Sequence, residues 1–331
     1  MRKFKAIVSI ILIVLMLCGG GYLVYFFSRD SKHNKVITTI FPIYDICREI
    51  LGDEEDIMLL QDNGVDMHSY QPTAMDIASI SKAELLVCIG GESDKRWLDN
   101  VIKSTNNNSL NTLKLIETID ALEESMDGII NGEHVHEHDT ESVHTDHVAY
   151  DEHIWLSIRN MKKMTKEILE KLIVVYPHRE ILLRTNAEKY ISELDRLDTE
   201  YTNVCSEQTS TIIMADRFPF LYLANDYKLD FLAAYHGCSA DVGVTPSTIV
   251  ALRNKVNEEE LNYLCVLETS DKAIANAVIN DSSCRDGVTH VVLNSCQTVS
   301  NKDIHKLSYI SIMESNLINL RRVITNEVNR V

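Results

Sequence analysis

Two periodicities of apolar positions alternate along most of the chain. Short β-branched or apolar runs predict strands at 36–41, 56–61 and 84–91. Between these runs the apolar residues recur at helical spacing, and Thr73 opens one of the predicted helices. This order of strands and helices predicts a parallel sheet with helices on both of its faces. The alternation is lost over residues 104–152.

A long helix and a second alternation follow. From Arg179 to about Cys205 the chain contains neither Pro nor Gly and carries apolar residues at helical spacing, which predicts a helix about 40 Å long. Beyond it, strands are predicted at 211–215, 231–235, 263–267 and 290–293. The predicted fold class is therefore α/β, with two lobes that each hold a parallel sheet flanked by helices, joined by one long linking helix.

These patterns divide the chain into four segments. We predict a leader or anchor at 1–30 and an N-terminal α/β lobe at 35–178, which includes a His-rich loop at 130–148. A linking helix at 179–206 and a C-terminal α/β lobe at 207–331 follow.

The leader combines a basic start with a long apolar run. Residues 6–27 form 22 residues without a charge, and about 20 apolar residues suffice to cross a bilayer as a helix. A cleaved signal peptide and a retained anchor are both compatible with this pattern. Cys18 lies in a segment that resembles a bacterial lipobox, which adds lipidation as a way to hold the chain at the membrane. The basic residues before the run should remain cytoplasmic, so we expect the rest of the chain to be extracytoplasmic, at the bacterial cell surface or in the periplasm.

Composition narrows the class of protein. Of the 331 residues 45% are apolar, which is enough for a sizeable core. Lys and Arg total 32 against 49 Asp and Glu, a formal charge of −17, so a nucleic-acid partner is not expected. The sequence contains no HExxH, Gly-x-Ser-x-Gly, P-loop or Gly-x-Gly-x-x-Gly motif, and no enzymatic activity is predicted.

Histidines are concentrated in one acidic segment. Five of the 12 histidines fall within 14 residues, among carboxylates: His134, His136, His138, His144 and His147. Imidazole and carboxylate groups together suit Zn²⁺ and its neighbours. The irregular spacing does not predict one rigid site, so we expect auxiliary, labile metal binding.

Two further histidines and two cysteines are candidates for specific roles. His68 lies between a predicted strand and a helix, at the sheet edge where ligands collect, and His153 lies in Asp151-Glu152-His153-Ile154-Trp155-Leu156. Taken alone, either histidine would more often be a structural residue than a ligand. Cys238 and Cys296 both follow predicted strands and are expected to form a disulfide outside the cytosol.

The motifs around both histidines resemble those of one family. Residues 66–73, Asp66-Met67-His68-Ser69-Tyr70-Gln71-Pro72-Thr73, resemble the Gly-x-x-x-His-x-Tyr/Phe-x-Pro segment of the zinc/manganese ABC-transporter substrate-binding proteins. The segment around His153 resembles that family's Asp-Pro-His-x-Trp-Leu. A His-rich insert before the second motif is typical of the zinc-uptake type, and the resemblance covers roughly residues 35–325.

The resemblance implies a metal site in the cleft between the lobes. His68 and His153 would be ligands, whereas Ala215 occupies the position of the family's third ligand. Asp216 beside it and Glu268 after a later strand are the candidates for the missing ligands, and His236, at the end of a predicted strand, is their competitor. The implied function is that of an extracytoplasmic solute receptor, expected to be a monomer, which binds Zn²⁺ (Mn²⁺ being the less favoured ion) and delivers it to an ABC permease with its ATPase subunit. The alternative is a surface adhesion or metal-sensing protein with the same fold and a degenerate site.

Overall fold

The structure is a computed structural model that describes residues 34–52, 56–61, 66–130, 149–238, 245–300 and 302–327. The predictions made for the leader with Cys18, and for the histidines of the His-rich loop, lie outside these residues.

The N-terminal lobe contains a four-stranded parallel sheet. Its strands are β1 (Val36–Thr38), β2 (Ile57–Leu59), β3 (Leu85–Cys88) and β4 (Asn111–Lys114), in the order β2-β1-β3-β4. Its helices are α1 (Phe41–Leu51), α2 (Ala74–Ile80), α3 (Glu92–Lys95) and α4 (Leu98–Thr105). The sheet order reverses between β1 and β3, and ligands typically bind at the carboxyl ends of strands near such a point.

The C-terminal lobe repeats this arrangement. Its strands are β5 (Ile212–Phe218), β6 (Phe231–His236), β7 (Tyr263–Leu267) and β8 (Thr289–Leu293), in the order β6-β5-β7-β8 and all parallel. The helices that accompany them, numbered with the two long helices described next, are α7 (Leu221–Tyr227), α8 (Pro246–Glu258), α9 (Ala273–Ile279) and α10 (Tyr309–Ile324).

Two long helices join the lobes. Helix α5 (Ile158–Val175) packs against α6 (Glu180–Cys205), which also contacts α1 and α10. The buried residues of α6 recur every three or four positions: Leu183, Ala187, Tyr190, Leu194, Leu197, Tyr201, Val204 and Cys205. One apolar stripe therefore runs along the whole helix and packs into a core that continues through both lobes.

The predicted fold class is confirmed: two α/β lobes with parallel sheets, linked by a long helix. Strand β4 was not predicted, because it is an edge strand in which only Leu113 is buried, so it lacks an apolar run. Across the described ranges, no helix combines the length and the apolar character needed to span a membrane.

Candidate metal centre

The segment after β2 places His68 at the carboxyl edge of the N-terminal sheet. The His68 backbone N–H donates to Asp66 Oδ1 at 2.9 Å. Downstream, the Thr73 side chain accepts from the Asp76 N–H and the Asp76 carboxylate accepts from the Thr73 N–H, forming a capping box that starts α2. The loop is fixed at both ends, and the His68 side chain is only 8% exposed.

His153 is held by the residue two positions before it. Asp151 Oδ1 accepts from the His153 backbone N–H at 2.8 Å and lies 3.0 Å from Nδ1 of the ring. Next along the chain, the buried Trp155 donates its indole N–H to the carbonyl of Ser295, in the C-terminal lobe, at 2.7 Å. The His153 ring, 1% exposed, is therefore set at the contact between the lobes.

The hydrogen-bond network fixes the tautomers of both rings. The hydroxyl of Ser93 donates to Glu152 Oε2, so its oxygen accepts from Nδ1 of His68 at 3.0 Å. Nδ1 of His153 donates to the Asp151 carboxylate. With both protons on Nδ1, each Nε2 presents a lone pair, and a carboxylate-supported imidazole of this kind is typical of metal ligands.

The two Nε2 atoms face one another at 3.4 Å. Two lone pairs at this distance repel each other, because neither nitrogen can donate, and a cation between them turns the repulsion into attraction. Two imidazoles at Zn–N distances of about 2.0–2.1 Å in a tetrahedral site place their nitrogens about 3.3 Å apart. The observed separation of the His68 and His153 nitrogens therefore fits such an ion without rearrangement.

The surroundings of His68 favour the neutral form of its imidazole, which is the form that binds a metal. Burial, together with the neighbouring His153 ring, lowers the pKa of His68 from 6.5 to about 4. Burial raises the pKa of Glu152, opposed by the hydrogen bonds from Ser93. The His68 imidazole is thus neutral at physiological pH and does not have to lose a proton before it binds a metal.

A third metal-binding side chain lies beside the two imidazoles. One ring nitrogen each of His68 and His153 and the Sγ atom of Cys238 all lie within 4.8 Å of one another. Burial raises the pKa of the Cys238 thiol, and the carboxylates of Asp151 and Glu124 add to the effect. Cys238 was not among the predicted ligands; its position two residues after β6 was the available signal, since a residue there lies at the same edge of its sheet as His68 does in the other lobe.

The expected disulfide is not present in the structure, where Cys238 and Cys296 are both free thiols. Cys238 lies beside the histidines, whereas Cys296 is completely buried in the core. The two cysteines thus belong to different environments.

The two predicted carboxylate ligands are not part of the group formed by His68, His153 and Cys238. Asp216 Oδ1 accepts from the backbone N–H of Arg217 at 2.8 Å. Glu268 accepts three hydrogen bonds from the segment after β8, from the Ser295 N–H, the Ser295 hydroxyl and the Thr298 hydroxyl, at 2.9, 2.7 and 3.0 Å. These bonds tie the Glu268 carboxylate to its own lobe.

Fold and site together describe a two-lobed protein with a candidate metal centre at the contact between the lobes. Residues 36–323 match the sequence profile of the family described as "Zinc-uptake complex component A periplasmic". The chain belongs to this family, as the motifs had indicated. The family comprises metal-binding solute receptors and not enzymes, so the prediction that this chain is not an enzyme is confirmed.

Individual relatives support the same assignment. The chain is 28% identical over 301 residues to the zinc-binding lipoprotein AdcA of Streptococcus pneumoniae, covering 91% of this chain and 57% of AdcA, so it spans little more than half of that relative's length. It is 27% identical to the high-affinity zinc uptake system protein ZnuA of Bacillus subtilis, covering 88% of each chain. The crystal structure of the Zn(II)-bound ZnuA-like domain of AdcA superposes with a TM-score of 0.68 at 26% identity, covering 89% of this chain and all of that one.

Proposed function

We propose that this protein is the extracytoplasmic receptor of an ABC importer, which binds Zn²⁺ between its lobes and delivers it to a membrane permease served by an ATPase subunit. The observation that carries the proposal is the pair of Nε2 lone pairs of His68 and His153, 3.4 Å apart. Nothing but a cation, or a hydrogen-bond donor from outside the pair, satisfies two such groups at once.

Zn²⁺ is the ion that these ligands favour. Imidazole nitrogen is a good ligand for Zn²⁺, whereas Mn²⁺ prefers carboxylate, carbonyl and water oxygen. AdcA and ZnuA, the relatives that match most of this chain, are both named for zinc. We therefore propose Zn²⁺ as the transported ion, with Mn²⁺ bound more weakly.

The remaining parts of the chain receive roles within the same proposal. Residues 1–30 would hold the monomeric receptor at the membrane, and the His-rich loop at 130–148 would collect metal for the buried site. The two lobes would extend over 35–178 and 207–331, on either side of the linking helix at 179–206.

Titration of the full chain with Zn²⁺ in the presence of a competing chelator tests the site. Because each imidazole supplies one of few ligands, His68→Ala and His153→Ala should each weaken the tightest site at least tenfold, about 1.4 kcal/mol. His290→Ala removes an exposed imidazole at the start of β8 and is the matched control, which should leave the affinity unchanged. Unchanged affinity in both His68→Ala and His153→Ala would refute the proposed site.

A further inference from the structure

We propose that Cys238 binds the metal as a thiolate and is the third ligand of the site, an inference that rests on the proposed function. The site thereby becomes one of two nitrogens and one sulfur, which selects thiophilic divalent ions such as Zn²⁺, Cd²⁺ and Co²⁺ against Mn²⁺. As the sulfur–metal bond forms, the thiol proton leaves to solvent.

The distances leave a short step to coordination. With Zn–N near 2.05 Å and Zn–S near 2.3 Å, a tetrahedral site places sulfur about 3.6 Å from each nitrogen. The Cys238 sulfur already lies within 4.8 Å of the ring nitrogens. A shift of about 1 Å, within the reach of a side-chain rotation, completes the geometry.

The backbone before Cys238 is packed against the His153 ring. A Cβ atom added to Gly237 would lie 3.1 Å from Cε1 of His153, the ring carbon bonded to Nε2. Because Cε1 lies between Nδ1 and Nε2, this contact places the 237–238 segment against the edge of the ring that carries both nitrogens.

The residue at the position of the family's third ligand cannot bind a metal ion. Ala215, where the family resemblance expects a ligand, has no donor atom and is 1% exposed within the apolar core of the C-terminal lobe, packed with residues such as Ile213 and Leu264. Cys238, two residues after the neighbouring strand β6, would then supply the ligand that β5 lacks.

The positions of the ligands in the fold explain how the ion would hold both lobes. His68 follows β2 and Cys238 follows β6, and each of these strands is the edge strand beside the first strand of its sheet. The two ligands therefore occupy corresponding sites in the two lobes. An ion bound by His68, His153 and Cys238 bridges the N-terminal and the C-terminal lobe directly.

Co²⁺ provides the direct test, because thiolate coordination gives a charge-transfer band in the near ultraviolet that imidazole coordination lacks. Titrated with Co²⁺, the full-length wild type and Cys284→Ser, which removes the other partly exposed thiol among the described cysteines, should show this band. Cys238→Ser should lose it. In Zn²⁺ titrations Cys238→Ser should bind about tenfold or more weakly, while its Mn²⁺ affinity should change by less than about threefold.

Each result separates the inference from the proposed function. A wild type that binds Co²⁺ through His68, yet shows no charge-transfer band, overturns the thiolate ligand and leaves the proposed function intact. The same conclusion follows if His236→Ala, and not Cys238→Ser, weakens Zn²⁺ binding, since the third ligand is then an imidazole. If His68→Ala and His153→Ala leave metal binding unchanged, the proposed function itself fails. Thermal unfolding of the metal-free variants shows whether each one is folded.

Discussion

Asp66 Oδ2 lies 2.8 Å from Arg217 Nη2, an ion pair that joins the loop before His68 to strand β5 of the other lobe. Asp66 Oδ1 accepts both from the His68 backbone N–H and from Gln297 Nε2, the latter at 3.1 Å. Burial opposes ionisation of Asp66, but the His68 N–H and the Arg217 guanidinium hold its pKa below the usual value. A single charged carboxylate therefore positions the candidate ligand His68 and links the two lobes, so we expect metal binding to depend on this contact between the lobes.

Arg217→Gln should speed metal release without removing any ligand. The pair is partly exposed, so its loss should cost about 1 kcal/mol, equivalent to roughly fivefold faster Zn²⁺ dissociation. Stopped-flow release into excess chelator measures this rate. Arg253→Gln is the matched control, because Arg253 forms a similar pair with Asp281 at 2.9 Å inside the C-terminal lobe. Equal release rates in the two variants would contradict this dependence.

Ser93→Ala should weaken Zn²⁺ binding by about tenfold although Ser93 does not touch the metal. The substitution removes the acceptor that keeps the His68 proton on Nδ1, so the ring can place the proton on Nε2 and lose the lone pair that binds metal. Calorimetric titration measures the affinity. Ser104→Ala, which removes a hydroxyl bonded to the carbonyl of Val101 on α4, should have no effect. Equal affinities of the two variants would show that Ser93 does not control the tautomer.

Much of the fold follows from local pattern. The apolar runs of β3 and β7 predict strands because every residue in them is buried, and the helical spacing of α6 predicts a helix because one face of it is buried along its length. The sequence of edge strand β4 does not indicate a strand, because every residue in it other than Leu113 is polar.

The site was predictable only in part. His68 and His153 stand in recognisable motifs, but Ser93 and Glu152, which orient His68, are 59 residues apart and meet only in the folded chain. Cys238 was interpreted as half of a disulfide because the sequence shows that it follows a strand but not which side chains of the other lobe lie beside its thiol. Asp216 was chosen because it is next to the vacant position and Glu268 because it ends a later strand, whereas the structure brings the thiol of Cys238, which follows another strand, to the histidines.

Asp45 should make the fold less stable as the pH rises from about 4 to 6. Burial, opposed by Arg48, raises its pKa from 3.8 to about 6. Between these values the folded chain binds more protons than the unfolded chain, so its stability falls with increasing pH, by on the order of 3 kcal/mol for this group.

Asp45→Asn isolates this effect. It removes the titrating group and perturbs the acceptor for the Tyr309 backbone N–H, 2.8 Å away at the start of α10. The constant cost of that change is the same at every pH. Urea unfolding across this pH range should show wild-type stability falling relative to the variant, and parallel curves would contradict the assignment.

Gly237→Ala should damage metal binding, and Gly287→Ala should not, although both should destabilise the fold. At Gly237 a Cβ atom would lie 2.9 Å from the Phe218 carbonyl oxygen and 3.1 Å from Cε1 of His153, so backbone or ring must move. At Gly287 a Cβ atom would meet nothing within 4 Å, but φ is +83°, a conformation that costs a non-glycine residue about 1 kcal/mol.

Urea unfolding of the metal-free proteins should show that each substitution lowers the free energy of unfolding by about 1–3 kcal/mol. Zn²⁺ titration should then show a weakened site for Gly237→Ala alone, because only that substitution displaces the His153 ring. If Gly287→Ala weakened the site equally, the loss would reflect general destabilisation and not the packing of residue 237 against a ligand.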